Sequence, residues 1–177
     1  KIARAIFDLW GQGFLGEEFR LVGYGRRQYS PDEFRQYVKE TLGSLESAQA
    51  VSSFLEHVHY VQGFLDDEAN YQALASSLAN FDKEIGACSN KLFYLAVPPT
   101  LYEIIFKNLA ASGLANPCIG TSKENWTRIL VEKPFGNNAK QAAALDQLLG
   151  KLFAEDQIFR IDHYLAKETL QNILHFR

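Results

Sequence analysis

Lys91-Leu92-Phe93-Tyr94-Leu95-Ala96-Val97-Pro98-Pro99 sets the fold class of this chain. The apolar-leaning run Lys91–Val97 reads as a buried strand. The two prolines stop it, because proline cannot donate to a ladder and keeps its predecessor from turning helical. A helix is expected next, over 100–112. The alternation then repeats with a strand at Arg128–Val131, a helix over 138–154 and a strand at Ile158–Ile161. In the second helix Leu145, Leu148, Leu149, Leu152 and Phe153 form an i, i+3, i+4, i+7, i+8 stripe, the apolar face of a helix on a sheet. Strands separated by helices imply right-handed crossovers and a parallel sheet. The expected class is α/β, with a doubly wound, mainly parallel sheet.

Upstream the pattern holds. Ile2, Ile6, Leu9 and Trp10 carry a helical stripe, and Phe19–Tyr24 reads as a strand. Ser30-Pro31-Asp32-Glu33 is a capping box with proline at the first helical position, opening a helix to about Gly43. A helical stretch at 45–56 precedes the strand Val58–Val61. Asp66-Asp67-Glu68 then places acids where the dipole of a helix over 67–85 favours them. Residues 166–176 also read as helical. The chain opens on a helix with no strand or glycine-rich loop before it, so an incomplete domain is expected.

Composition excludes several classes. The length of 177 residues suits one domain, and 47% hydrophobic with 22% charged residues is ordinary for a globular protein. A net charge of −3 gives no global field for nucleic acid or an anionic membrane. The longest apolar run, Leu92–Val97, is far short of the ~20 residues of a membrane helix. Cys88 and Cys118 show no metal-type spacing, so reduced thiols in a cytoplasmic protein are expected. His57 and His59 flank a strand without an evident third ligand, which argues against a metal; His175, in the last turn of the terminal helix, reads as structural.

Ligands of open parallel sheets lie beyond the carboxyl ends of the strands. There this sequence places Gly25-Arg26-Arg27, Pro98-Pro99-Thr100, Glu132-Lys133-Pro134-Phe135-Gly136 and Asp162-His163-Tyr164. Arg26, Arg27, Lys133 and Lys167 therefore share one rim with His163, an arrangement suited to anionic ligands. Dinucleotide folds end the corresponding strand in an acid that binds the ribose 2′-hydroxyl. Two guanidiniums there suit a 2′-phosphate instead. Taken alone, the arginine pair fits a solvated loop equally well. Lys133-Pro134 is a candidate cis peptide that would turn the lysine into the cleft, although without its neighbours the proline reads as a strand end. Arg160–Glu168 packs an acid, an imidazole, a phenol and an ammonium into one short run. One helical turn would put His163 and Lys167 on one face, where they could hold a phosphate while Asp162 orients a base. The competing reading is a surface salt-bridge cluster beginning a helix.

These residues resemble the glucose-6-phosphate 1-dehydrogenase family. The similar motifs are Arg160–Glu168, Val131–Gly136, Leu92–Glu103 and Phe19–Arg26, and they follow the family's order along the whole chain. The resemblance implies a Rossmann-type dinucleotide-binding domain lacking its first strand and glycine-rich loop. It implies oxidation of glucose 6-phosphate to 6-phosphogluconolactone with NADP, the entry to the pentose phosphate pathway, in a longer parent. His163, Tyr164 and Lys167 would then hold the sugar phosphate, and Asp162 would orient the histidine base. Lys133 would touch substrate and cofactor, Arg26 the 2′-phosphate, and Tyr102 would line the cofactor site.

The departures are Gly25 for the family's usual alanine, Ala166 for glycine, and a glycine-rich loop and base histidine expected outside Lys1–Arg177. Residues 1–165 are expected to form an incomplete NADP-binding domain, and 166–177 to begin the substrate and dimerisation domain. The parent is expected to be a cytoplasmic homo-oligomer with no nucleic-acid or membrane partner. Two alternatives stand beside this reading. One is a sugar or inositol oxidoreductase, which shares the Glu-Lys-Pro motif but not the Asp-His-Tyr run. The other, for the chain in isolation, is a non-catalytic anion- or nucleotide-binding domain.

Overall fold

The computed structural model describes residues 2–43, 47–118, 125–136 and 138–161. The chain divides into two compact units that meet in sequence between Phe64 and Leu65. The first contains α1 (Ile2–Gly11), β1 (Leu21–Gly25), α2 (Pro31–Leu42), α3 (Ala48–Glu56) and β2 (Val58–Gln62). β1 and β2 pair in parallel, with Leu21 opposite Val58 and Gly25 opposite Gln62. Helix α2 begins as its sequence requires: the Ser30 hydroxyl accepts the Glu33 N–H at 3.2 Å, and the Glu33 carboxylate accepts the Ser30 N–H at 2.6 Å. These bonds from Ser30 hold the Glu33 carboxyl below the usual carboxylate range. Helix α3 starts at Ala48, later than the stretch at 45–56 suggests, because the Ser47 hydroxyl caps it by accepting the Ala50 N–H at 3.1 Å. Residues 44–46 lie outside the described residues.

Phe7, Val38, Leu42, Val51, Phe54 and Val58 form the core of this unit. Phe54 is fully buried and meets the Phe7 ring edge-on at 5.2 Å. The backbone of β1 lies so close to α2 that a Cβ on Gly23 would stand 2.3 Å from the Phe34 ring. His57 is the C-cap of α3, one residue before the strand. Its Nδ1 is 3.1 Å from the Phe19 carbonyl, which can only accept, and its ring stacks on Phe19 at 4.4 Å.

The second unit contains α4 (Glu68–Glu84), β3 (Lys91–Leu95), α5 (Tyr102–Ala111), β4 (Thr127–Glu132), α6 (Ala139–Leu152) and β5 (Ile158–Ile161). Single turns of 3-10 helix at Pro99–Leu101 and Glu155–Gln157 lead into α5 and β5. The strands run parallel in the order β3-β4-β5, with Leu95 opposite Val131 and Glu132 opposite Ile161. Along β4, Thr127, Ile129 and Val131 are buried and alternate with half-buried residues, the period of two that a strand imposes. Ile105, Phe106 and Leu109 of α5 and Leu149 of α6 are buried with them. All described strand pairs are parallel, as the α/β reading requires.

The differences from expectation are local. β3 stops at Leu95 rather than Val97, since the chain must run extended ahead of Pro98 and proline offers no N–H to a ladder. α6 ends at Leu152, with Phe153 extended and buried. The expected helix over 166–176 lies outside the described residues, as does His175.

One expectation is corrected. Cys88 and Cys118 form a disulfide, with Cα atoms 5.5 Å apart and a sequence separation of 30. The exits of α4 and α5 converge here ahead of β3 and β4. The Asn90 side chain accepts the Trp126 N–H at 2.9 Å, and the Lys91 N–H reaches the Trp126 carbonyl at 3.0 Å. Beside them the Asp82 carboxylate accepts from the Ser89 N–H at 3.0 Å, from the Ser89 hydroxyl, and from Lys91 Nζ at 2.9 Å. Burial pushes the Asp82 carboxyl upward, but the Ser89 and Lys91 bonds outweigh it and hold the group below its ordinary value. Among the described residues no helix is long and apolar enough to cross a membrane.

Candidate functional site

In the first unit the carboxyl end of β1 delivers Gly25, Arg26 and Arg27. Their carbonyls are held from β2. The Tyr60 hydroxyl lies 2.7 Å from the Gly25 oxygen and 2.6 Å from the Arg27 oxygen, and Gln62 Nε2 donates to the Arg26 oxygen at 3.4 Å. The Gly63 N–H gives Gly25 a second donor at 2.9 Å. Tyr60 is placed by ring packing, with Phe34 at 4.7 Å and Tyr29 edge-on at 5.3 Å. Desolvation, then the neighbouring Tyr29, push the Tyr60 hydroxyl above the ordinary tyrosine value, so it stays a donor at neutral pH.

Both arginine side chains are exposed. Arg27 Nη1 donates to the Tyr29 hydroxyl at 3.3 Å, and this bond reinforces its positive charge. Neither arginine has a carboxylate partner among the described residues. An added Cβ on Gly25 would meet only the Tyr60 hydroxyl, at 3.6 Å, so the exchange of alanine for glycine here leaves the turn's packing unaltered.

In the second unit the carboxyl ends of β3 and β4 build a different rim. The Tyr94 hydroxyl of β3 donates to the Glu132 carboxylate at the end of β4. The Tyr102 hydroxyl, from the first turn of α5, donates to the Glu132 carbonyl at 3.1 Å. Two tyrosines thus fix the residue immediately before Lys133. Tyr102 is 1% exposed, and burial raises its hydroxyl above the ordinary value. The Lys133-Pro134 peptide is cis, as the sequence suggests. Gly136 follows with φ +136°, where an added Cβ would also stand 3.0 Å from that of Gln141, so both backbone and space require glycine. Asn138 then caps α6 by accepting the Gln141 N–H at 2.9 Å. A cleft of about 480 Å³ opens beside this loop, its lining including Thr100, Glu103, Lys107, Phe135, Gly136 and Lys151.

The structure therefore brings Tyr102 to the Glu132-Lys133 turn as a buried support, and it places Arg26 at the end of β1. Asp162, His163, Tyr164 and Lys167 lie outside the described residues. The sequence does not single out Tyr60, Tyr94 or Gln62. Each lies in an ordinary strand, and its partner is a residue far along the chain that no local motif marks. Among the described residues no group of three or more His, Cys, Asp or Glu side chains could hold a metal ion.

Residues 1–172 match the sequence profile described as "Glucose-6-phosphate dehydrogenase, NAD binding domain". The chain is 38% identical to "Glucose-6-phosphate 1-dehydrogenase 2" of Mycobacterium tuberculosis, covering 100% of this chain and 34% of that protein. It is 38% identical to "Glucose-6-phosphate 1-dehydrogenase 6, cytoplasmic" of Arabidopsis thaliana, over 98% of this chain and 34% of that protein. A solved structure described as "Glucose-6-phosphate dehydrogenase in complex with its substrate glucose-6-phosphate" superposes with a TM-score of 0.85 at 33% identity. That likeness covers 100% of this chain and 36% of the other. A glucose-6-phosphate 1-dehydrogenase from Mycobacterium avium gives a TM-score of 0.73 at 25% identity, over 97% of this chain and 38% of the other. The chain thus spans about a third of the length of the curated relatives it matches.

Proposed function

The chain belongs to the glucose-6-phosphate dehydrogenase family, and from that membership we propose that its parent protein oxidises glucose 6-phosphate to 6-phosphogluconolactone with NADP. The match over residues 1–172 carries the reading, and the geometry of the two rims supports its parts. NADP, when bound, supplies the nicotinamide that takes the hydride from C1 of the sugar. The residues at the end of β1 fit that molecule rather than NAD. Two exposed guanidiniums stand where an acid would select a free 2′-hydroxyl, and Arg26 is the residue assigned to the 2′-phosphate.

Lys133 reaches both substrate and cofactor from a turn that Tyr94 and Tyr102 fix through Glu132. Tyr102 therefore serves the cofactor site from behind, by holding the turn, rather than as an exposed lining residue. His163, Tyr164 and Lys167 hold the sugar phosphate, and Asp162 orients and stabilises a histidine general base that takes the C1 hydroxyl proton. Residues 1–165 belong to the coenzyme domain in this reading, and 166–177 begin the next. The cytoplasmic relative from Arabidopsis supports a cytoplasmic parent.

The test is NADPH formation by the parent enzyme with glucose 6-phosphate and with glucose. A strong preference for the phosphorylated sugar is expected, and it should collapse in His163→Ala and Lys167→Ala. Equal rates with both sugars in the unmodified enzyme would remove the substrate assignment. Arg26→Ala is expected to weaken NADP and spare NAD, because it removes a partner of the one group that distinguishes them.

A further inference from the structure

We propose that Tyr60 is the positioning residue of the 2′-phosphate site: its hydroxyl closes the Gly25-Arg26-Arg27 turn and thereby sets the selectivity for NADP over NAD. The inference rests on the assignment of Arg26 above and goes beyond it, since Tyr60 is not a phosphate ligand. Three successive carbonyls of the turn face donors on β2: the single Tyr60 phenolic proton is shared between the Gly25 and Arg27 oxygens, at 2.7 and 2.6 Å, and Gln62 reaches the third at 3.4 Å. A free turn beyond a strand end would sample many backbone states, and an arginine on it would lose that freedom when it grips a phosphate. Here the ordering is done before the ligand arrives, which is how preorganisation strengthens binding.

The same residue also reaches the second guanidinium through its ring. Tyr60 meets Tyr29 edge-on at 5.3 Å, and the Tyr29 hydroxyl accepts from Arg27 Nη1 at 3.3 Å. Both the backbone of the turn and one of its two cationic side chains therefore take their position from Tyr60. Both links act on the turn that carries Arg26 and Arg27, so the effect is expected on the 2′-phosphate that Arg26 is proposed to hold.

The experiment measures dissociation constants of NADP and NAD for the full-length parent by calorimetric titration, in the unmodified protein, Tyr60→Phe and Arg26→Ala. Tyr60→Phe keeps the ring that packs on Phe34 and removes only the hydroxyl. The expected result is an NADP constant raised about tenfold, the worth of one well-formed hydrogen bond, with the NAD constant moved less than about twofold. If Tyr60→Phe leaves NADP unchanged, or weakens both nucleotides alike, while Arg26→Ala is selective for NADP, the positioning role is overturned and the site assignment survives. If Arg26→Ala is not selective either, the 2′-phosphate assignment fails and takes this inference with it. Should Tyr60→Phe not fold, Gln62→Leu decides, since it removes the third tie without disturbing the ring cluster. A smaller shift confined to NADP supports the proposal, and no selective shift overturns it.

Discussion

Reducing the Cys88–Cys118 disulfide should lower the stability of the second unit without altering its native fold. The bond closes a loop of 30 residues that contains β3, α5 and the turn between them. The chain-entropy relation for a loop of that length gives about 3.6 kcal/mol at 25 °C, almost all of it from the conformations denied to the unfolded chain. For a chain of 177 residues unfolding in one step, that corresponds to a fall of about 10 °C in Tm. The native corner should survive reduction because it has other ties. Asp82 still binds Ser89 and Lys91, Asn90 still accepts the Trp126 N–H, and Asn125 Nδ2 still reaches the Cys118 carbonyl at 3.4 Å. The assay is thermal unfolding with and without a thiol reductant, followed by near-ultraviolet circular dichroism, with Cys118→Ala as the genetic counterpart. An unchanged Tm in reductant would refute the entropic argument, and titration of two free thiols in the native, unreduced protein would refute the bond itself. The outcome also bears on compartment, since a reducing cytoplasm opposes such a bond unless its potential lies below that of the thiol pool.

Other expectations follow from single contacts. Because Asp82 titrates below its ordinary value in the folded state, its contribution is complete above the unfolded pKa of about 3.9 and is lost as pH falls through the lower folded value. Asp82→Asn should therefore cost about 2 kcal/mol at neutral pH, and urea midpoints of mutant and parent should converge on acidification; a gap independent of pH would contradict the pairing. Ser30→Ala removes the hydroxyl half of the α2 capping box and should cost about 1 kcal/mol by urea unfolding. Phe54→Ala, at a fully buried ring in the first unit's core, should cost ~3–5 kcal/mol by the same measurement. Tyr102→Phe leaves the Glu132 carbonyl without its tyrosine donor. It should lower kcat/KM of the parent about tenfold with little change in Tm, and a loss of stability without a kinetic effect would assign Tyr102 to the core alone.

The elements were legible in the sequence wherever the deciding interaction is local. Ser30 and Glu33 are three residues apart, so their capping box could be read directly, and its bonds are in place. Pro98 stops a strand through its own ring, and the leucine stripe of α6 shows in its spacing. The site was legible only in outline. Arg26 and Lys133 announce themselves as cations after strands, but what fixes them does not. Tyr60 reaches the Gly25 carbonyl across 35 residues, and Tyr94 reaches Glu132 across 38. Tyr102 carried a motif signal yet lies buried, because the hydroxyl's partner is a backbone carbonyl that no side-chain pattern encodes.

By itself the sequence determined the order of elements, the α/β class and the family, because helix caps, prolines, apolar periods and short motifs act over a few residues. Only the tertiary structure decided that Cys88 and Cys118 are paired, that Tyr102 supports the lysine turn from within the core, and that one phenol gathers the carbonyls of the double-arginine turn. The physical reason is common to all three. Each depends on a register between segments at least thirty residues apart, and the strand pairing and helix packing that set such a register are properties of the folded chain.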